Sequence, residues 1–134
     1  MPRRILHKNA HMLLQRGYPK DTFMNFHWYF DHQGELVQGK NITTYQRENH
    51  IYHPAPYQVE VETWLRIEQK MTVVTTPDGN LFKWVVYDDR GVWTMSSIEN
   101  HKRNSDYKSK FLHFCDAKEA GLKWALSRLK IIKQ

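Results

Sequence analysis

Residues 77–80, Pro-Asp-Gly-Asn, lie between two runs of strand-forming residues, and nothing else in the chain restricts its fold as tightly. Residues 71–76 (Met-Thr-Val-Val-Thr-Thr) precede them and residues 81–87 (Leu-Phe-Lys-Trp-Val-Val-Tyr) follow. Proline presets φ and glycine accepts a positive φ, so the second run must fold back on the first as an antiparallel hairpin. Asp88-Asp89-Arg90-Gly91 then turns the chain into a third run at 92–96. Consecutive strands joined by short turns build an antiparallel sheet, which needs helices over one face.

The remaining pattern supplies those helices. Residues 4–16 carry Ile5, Leu6, Met12 and Leu13 and stop at Gly17, a favoured residue after a helix C-terminus. Residues 57–70 place Tyr57, Val61, Trp64 and Leu65 on one stripe behind Pro56. A last helix is expected over 117–131, with Asp116 as N-cap, Glu119 completing a capping pair, and Leu122, Ala125, Leu126, Leu129 and Ile132 on its apolar face. Residues 22–30 and 35–38 read as a hairpin across Asp31-His32-Gln33-Gly34, in which Phe26, Trp28 and Phe30 share an inward face. Residues 39–54 read as a long loop, 99–110 as a mobile polar loop and 111–115 as a final short strand. The expected order is α-β-β-α-β-β-β-β-α, a two-layer α+β fold with an antiparallel sheet packed by helices, in one domain over 1–134.

Composition narrows the function classes. Five Trp, seven Tyr and six Phe in 134 residues argue against intrinsic disorder. No window approaches the roughly 20 apolar residues of a membrane span, and the basic N-terminus lacks the apolar core of a signal peptide. The expectation is an intracellular, cytoplasmic protein. A single cysteine, Cys115, excludes an internal disulfide and a Cys-rich zinc module. The net charge of +6 is uneven: residues 99–134 hold nine Lys or Arg against four acids, whereas residues 1–98 are nearly balanced.

Several segments together suggest a kinship. Leu13-Leu14-Gln15-Arg16-Gly17-Tyr18, Ala55-Pro56-Tyr57, Trp64-Leu65-Arg66, the run Asp116–Leu122 and Ala125-Leu126 occur in an order that resembles a group of small proteins of gut Bacteroidetes and their phages, a domain of unknown function. The resemblance covers most of the chain. Tyr57 stands where that group usually has Thr, and the basic insert at 96–110 is long. The resemblance implies a fold and a phage or mobile-element setting; it implies no site and no cofactor.

Residues able to carry chemistry fall short of known spacings. His50 with His53 is a weak metal pair, His27 and His32 flank Asp31, and His7 and His11 lie i, i+4 on the first helix. A zinc site needs three or four converging ligands, and none is assembled by spacing alone. His113 and Cys115 would share a strand face, but a buried free cysteine is the ordinary outcome. Asp88-Asp89 sits in a turn, and Glu60 and Glu62 diverge on a helix. No catalytic residue, metal or cofactor is expected.

Binding is better supported than catalysis. Residues 57–131 follow an order close to that of the double-stranded-RNA-binding domain, without its paired lysines at the last helix. Lys102, Arg103, Tyr107, Lys108 and Lys110, with Lys123 and Arg128 on the last helix, are the candidate nucleic-acid contacts, since phosphate neutralisation needs clustered bases. The first reading is a small non-enzymatic accessory protein that binds a protein partner, offering the aromatic hairpin at 22–38 and the loop at 39–54. Nucleic-acid binding by the basic C-terminal quarter is the alternative.

Overall fold

The computed structural model describes residues 3–19, 28–43, 45–46 and 52–132. The chain divides into two compact units, Met1–Tyr57 with Leu129–Gln134, and Gln58–Arg128. Both mix helix with antiparallel sheet, so the α+β class holds. The expected single sheet is instead two sheets of three strands.

In the first unit, α1 (His7–Gln15) buries Ala10, Met12 and Leu13. It begins later than its apolar pattern predicts, because the chain ahead of it is extended: Arg4 bridges Tyr57, and the Ile5 N–H donates to the Pro56 carbonyl at 2.9 Å. The helix stops at Gly17 as read, with the Tyr18 N–H on the Leu13 carbonyl. The sheet has the order β2-β1-β3, from β1 (Trp28–Phe30), β2 (Leu36–Gln38) and β3 (His53–Pro54). A 3₁₀ turn at Gly39–Asn41 breaks the expected loop at 39–54. The alternation expected of 22–30 is overturned where the strand is described. Trp28 is 36% exposed, while Tyr29 and Phe30 are both buried. The reason is that β1 is covered on two sides: Tyr29 joins Ile42, Val37 and Tyr52, and Phe30 meets the His7 ring. Phe26 and His27 lie outside the described residues.

In the second unit, α2 (Gln58–Glu68) leads into β4 (Thr72–Asp78), β5 (Leu81–Tyr87) and β6 (Trp93–Ser96), in the order β4-β5-β6. α3 (Ser97–Arg103) and α4 (Phe114–Ser127) follow. Asp78 pairs with Leu81, so Gly79 and Asn80 alone make the turn. Gly79 has φ +63 and Asn80 does not have positive φ, the pattern of a type II′ hairpin. Pro77 therefore lies inside the strand, opposite Phe82. Phe82 turns both its N–H and its carbonyl toward Phe111, at 2.7 and 2.8 Å, and so away from Pro77. The missing proline N–H points out from the edge of the sheet, where it costs no ladder bond.

The two units use one turn design. Asp31-His32-Gln33-Gly34-Glu35 and Asp88-Asp89-Arg90-Gly91-Val92 each place a carboxylate Oδ1 on the N–H groups two and four residues ahead, all at 2.9–3.0 Å. Each glycine has positive φ and donates its N–H to the aspartate carbonyl. This is the three-residue hairpin loop that ends in a left-handed glycine. The N–H of Glu35 in one turn, and of Val92 in the other, is the main reason both aspartates titrate below the ordinary carboxylate range.

Four expectations for the C-terminal quarter are corrected. The supposed strand at 111–115 is a single bridge at Phe111, and α4 begins at Phe114. His113 therefore occupies the N-cap position, and Asp116 lies inside the first turn. Part of the polar loop at 99–110 is helix α3, capped by the Ser96 hydroxyl, which accepts the Glu99 N–H. α4 ends at Ser127, so Leu129 and Ile132 lie beyond it.

α4 lies across β4 and β5 and buries Ala117, Leu122, Ala125 and Leu126. At Gly121 it lies close on the sheet: an added Cβ would come to 2.9 Å from Val73 and 3.0 Å from Trp84. The Trp84 and Trp124 rings meet beside it at 5.8 Å. Alanine in a helix interior ordinarily gains about 0.8–1.0 kcal/mol over glycine. Overpacking costs about 1–3 kcal/mol. We expect Gly121→Ala to destabilise the protein by about 1–2 kcal/mol, read as a lower urea midpoint at unchanged slope; a midpoint that rises would show that the sheet yields to the methyl group.

Candidate interaction surface

The basic segment is built by the hydrogen-bonding needs of β5. Alternate β5 residues turn their polar backbone groups toward the β6 side. Val86 lies opposite Met95 of β6. At Trp84 the chain has already left the sheet, and the Ser97 hydroxyl accepts the Trp84 N–H at 3.3 Å. At Phe82 the partner is Phe111, which has returned from the excursion. Residues 97–110 thus leave the sheet beside Trp84 and rejoin it beside Phe82.

That excursion is tied down throughout. Ser97 is fully buried, and its hydroxyl donates to the Ser109 carbonyl at 2.6 Å. His101 Nδ1 lies 2.6 Å from the Tyr107 carbonyl, which requires the proton on Nδ1. The Asn104 side chain accepts the Asp106 N–H, and Lys110 reaches Asp78 in the β4–β5 hairpin at 3.6 Å. A mobile loop was expected from polarity alone; these side-chain bonds are what overturn it.

The seven expected contact residues are spread over two segments, the excursion and α4 with its C-cap. Lys102, Arg103, Tyr107, Lys108 and Lys110 belong to the excursion. Lys123 and Arg128 lie about 14 and 21 Å along the helix axis from Phe114, at 1.5 Å per residue. Arg103 lies 3.8 Å from Glu99, and the Arg128 guanidinium stacks over Trp124 at 4.8 Å. Lys102, Lys108 and Lys123 are exposed and make no ion pair among the described residues.

The sequence reading missed the apolar part of this surface. Tyr107, Leu112 and Phe114 are 48%, 68% and 43% exposed. Phe114 leans edge-on against Phe82 at 5.8 Å and lies under the Lys118 ammonium at 5.3 Å. The expected short strand at 111–115 includes Leu112. Three large apolar residues in the four positions 111–114 were the available signal, since a strand covered on one face cannot bury them all.

The α2 surface has the opposite character. Lys118 pairs with Glu62 at 2.6 Å, and buried Gln58 donates to Glu119 and to the Cys115 carbonyl. Cys115 lies in the first turn of α4, so the strand face it was to share with His113 does not form. His50 lies outside the described residues, and His53 is on β3. Among the described residues no group of three His, Cys, Asp or Glu side chains could hold a metal ion, and no helix is long and apolar enough to cross a membrane.

Removing the Ser97 hydroxyl would leave the Trp84 N–H without its acceptor. We expect Ser97→Ala to cost about 1–3 kcal/mol, and amide exchange at residues 104–110 to accelerate. Unchanged exchange there would mean that Lys110 and Phe111 hold the excursion unaided.

Searches of protein-family models, curated proteins and solved structures return no match to this chain.

Proposed function

We propose that this protein is a small accessory binding module of phage or mobile-element type, acting by contact rather than catalysis, and that it engages an acidic protein partner through residues 102–114. The observation that carries this reading is the exposure of Leu112, Phe114 and Tyr107 on a tethered segment that also holds Lys102 and Lys108, which make no ion pair among the described residues. Exposed aromatic and aliphatic side chains ringed by cations suit a protein surface with an apolar pocket and an acidic rim. Because the segment is already held by Ser97, His101 and Phe111, little ordering entropy is left to lose on binding.

Nucleic-acid binding remains the second reading, favoured by exposed Lys102 and Lys108 and by Tyr107, which could stack on a base. It would not follow the double-stranded-RNA-binding mode suggested by the element order. The paired lysines of that family at the start of the last helix are missing, Lys118 there is already paired with Glu62, and Glu60, Glu62 and Glu68 line α2.

The two readings separate on substitution. With nuclease-treated lysate of its host cells, the wild type is expected to recover one stoichiometric partner, and Leu112→Ser to lose at least tenfold in recovery. If Leu112→Ser has no effect while Lys102→Glu with Lys108→Glu abolishes retardation of duplex RNA or DNA, the protein reading falls. Nucleic-acid affinity would then drop steeply with salt, by about 0.9 log units per neutralised phosphate for each log unit of salt.

A further inference from the structure

We propose that His53, held between His7 and His11, is a pH-sensitive latch, which holds α1 against β3 while its imidazole is neutral and loosens it when that ring takes up a proton. The helix period puts His7 and His11 on one face of α1. His53 stands on β3, the strand that α1 packs against, in register with Phe30 of β1. The His53 ring lies 6.2 Å from His7 and 6.4 Å from His11, so one imidazole is flanked by two others.

His7 has little room to move away. Its ring meets Phe30 at 5.3 Å, and a Cβ on Gly34 would come to 2.9 Å from its Nδ1. Among the described residues, the elements packed against His53 offer it no compensating carboxylate. α1 contributes His7, His11 and Lys8, all cationic or able to become so, and β1, the strand paired with β3, is Trp28-Tyr29-Phe30 and carries no charged residue. Asp31 acts on His7 and His32, but its Oδ1 is committed to the N–H groups of Gln33 and Glu35. Arg4 is held between the Trp28 and Tyr57 rings.

Burial, and then the charges of His11 and His7, keep His53 below its ordinary pKa. The sign follows from that direction. Above about pH 6.5 His53 is neutral in both the folded and the unfolded chain, and the latch is at full strength. As pH falls below that value the unfolded chain takes up its proton first. Stability is lost until the folded pKa is also passed, by up to about tenfold in the folding constant per pH unit for each such proton.

Amide exchange of Ala10, Met12 and Leu13, corrected for intrinsic rates, tests this between pH 7.5 and 5. Protection of α1 is expected to fall several-fold, while Val73 and Val86 of the second unit keep theirs. His53→Phe should flatten the dependence. Equal loss in both units, or the same slope in His53→Phe, would overturn the latch. Should His53→Phe fail to fold, the wild-type imidazole titration and His11→Gln decide. His53 must titrate below the ordinary value, and its pKa must rise when His11 is removed; an ordinary pKa for His53 would end the proposal.

Discussion

Strand β5 has to satisfy two edges, and the second edge determines much of what the second unit presents outward. β4 covers one side along its whole length. The other side is met by three different pieces of chain: β6 near Val86, a serine hydroxyl at Trp84 and a returning backbone at Phe82. A buried strand cannot leave these groups unpaired without a penalty comparable to a lost hydrogen bond each. The position of residues 97–110 follows from this requirement, and so does the exposure of Leu112, which comes directly after the returning residue.

Much of this fold was legible in the residues. The Pro77–Asn80 hairpin, the two Asp-x-x-Gly turns, the Gly17 stop and the Val61–Trp64–Leu65 stripe all depend on neighbours within a few positions. What was not legible depends on distant partners. Nothing within 97–110 announces that Ser97 reaches the Trp84 N–H, so a polar run read as loop. The strand alternation at 28–30 failed for a related reason: it assumes one covered face, and β1 has two. The candidate surface was half legible. Its cations were visible as composition, but the exposure of Leu112 and Phe114 depended on where α4 begins.

The two units treat charge differently. In the second, cations are either matched to acids, as at Lys118 with Glu62 and Lys110 with Asp78, or left exposed to solvent. In the first, three titratable rings face one another, and among the described residues Asp31 is the acid that acts on one of them, His7. Surface pairs of the first kind contribute about 0–1 kcal/mol. On the proposed latch, His53 contributes through its packing while neutral and loses that contribution when it charges.

The two tether points of the excursion also bear on how this chain can vary. Trp84 and Phe82 are two residues apart, about 7 Å along the strand. The ends of the intervening segment are therefore fixed close together whatever lies between them. Closing a longer loop between fixed ends costs only about 0.6 kcal/mol for each doubling of its length. Residues 98–108 can accept insertions and exchanges of charge while the sheet beneath keeps its register, provided Ser97 and Phe111 stay in place. The scaffold and its contact surface are thus free to diverge at different rates.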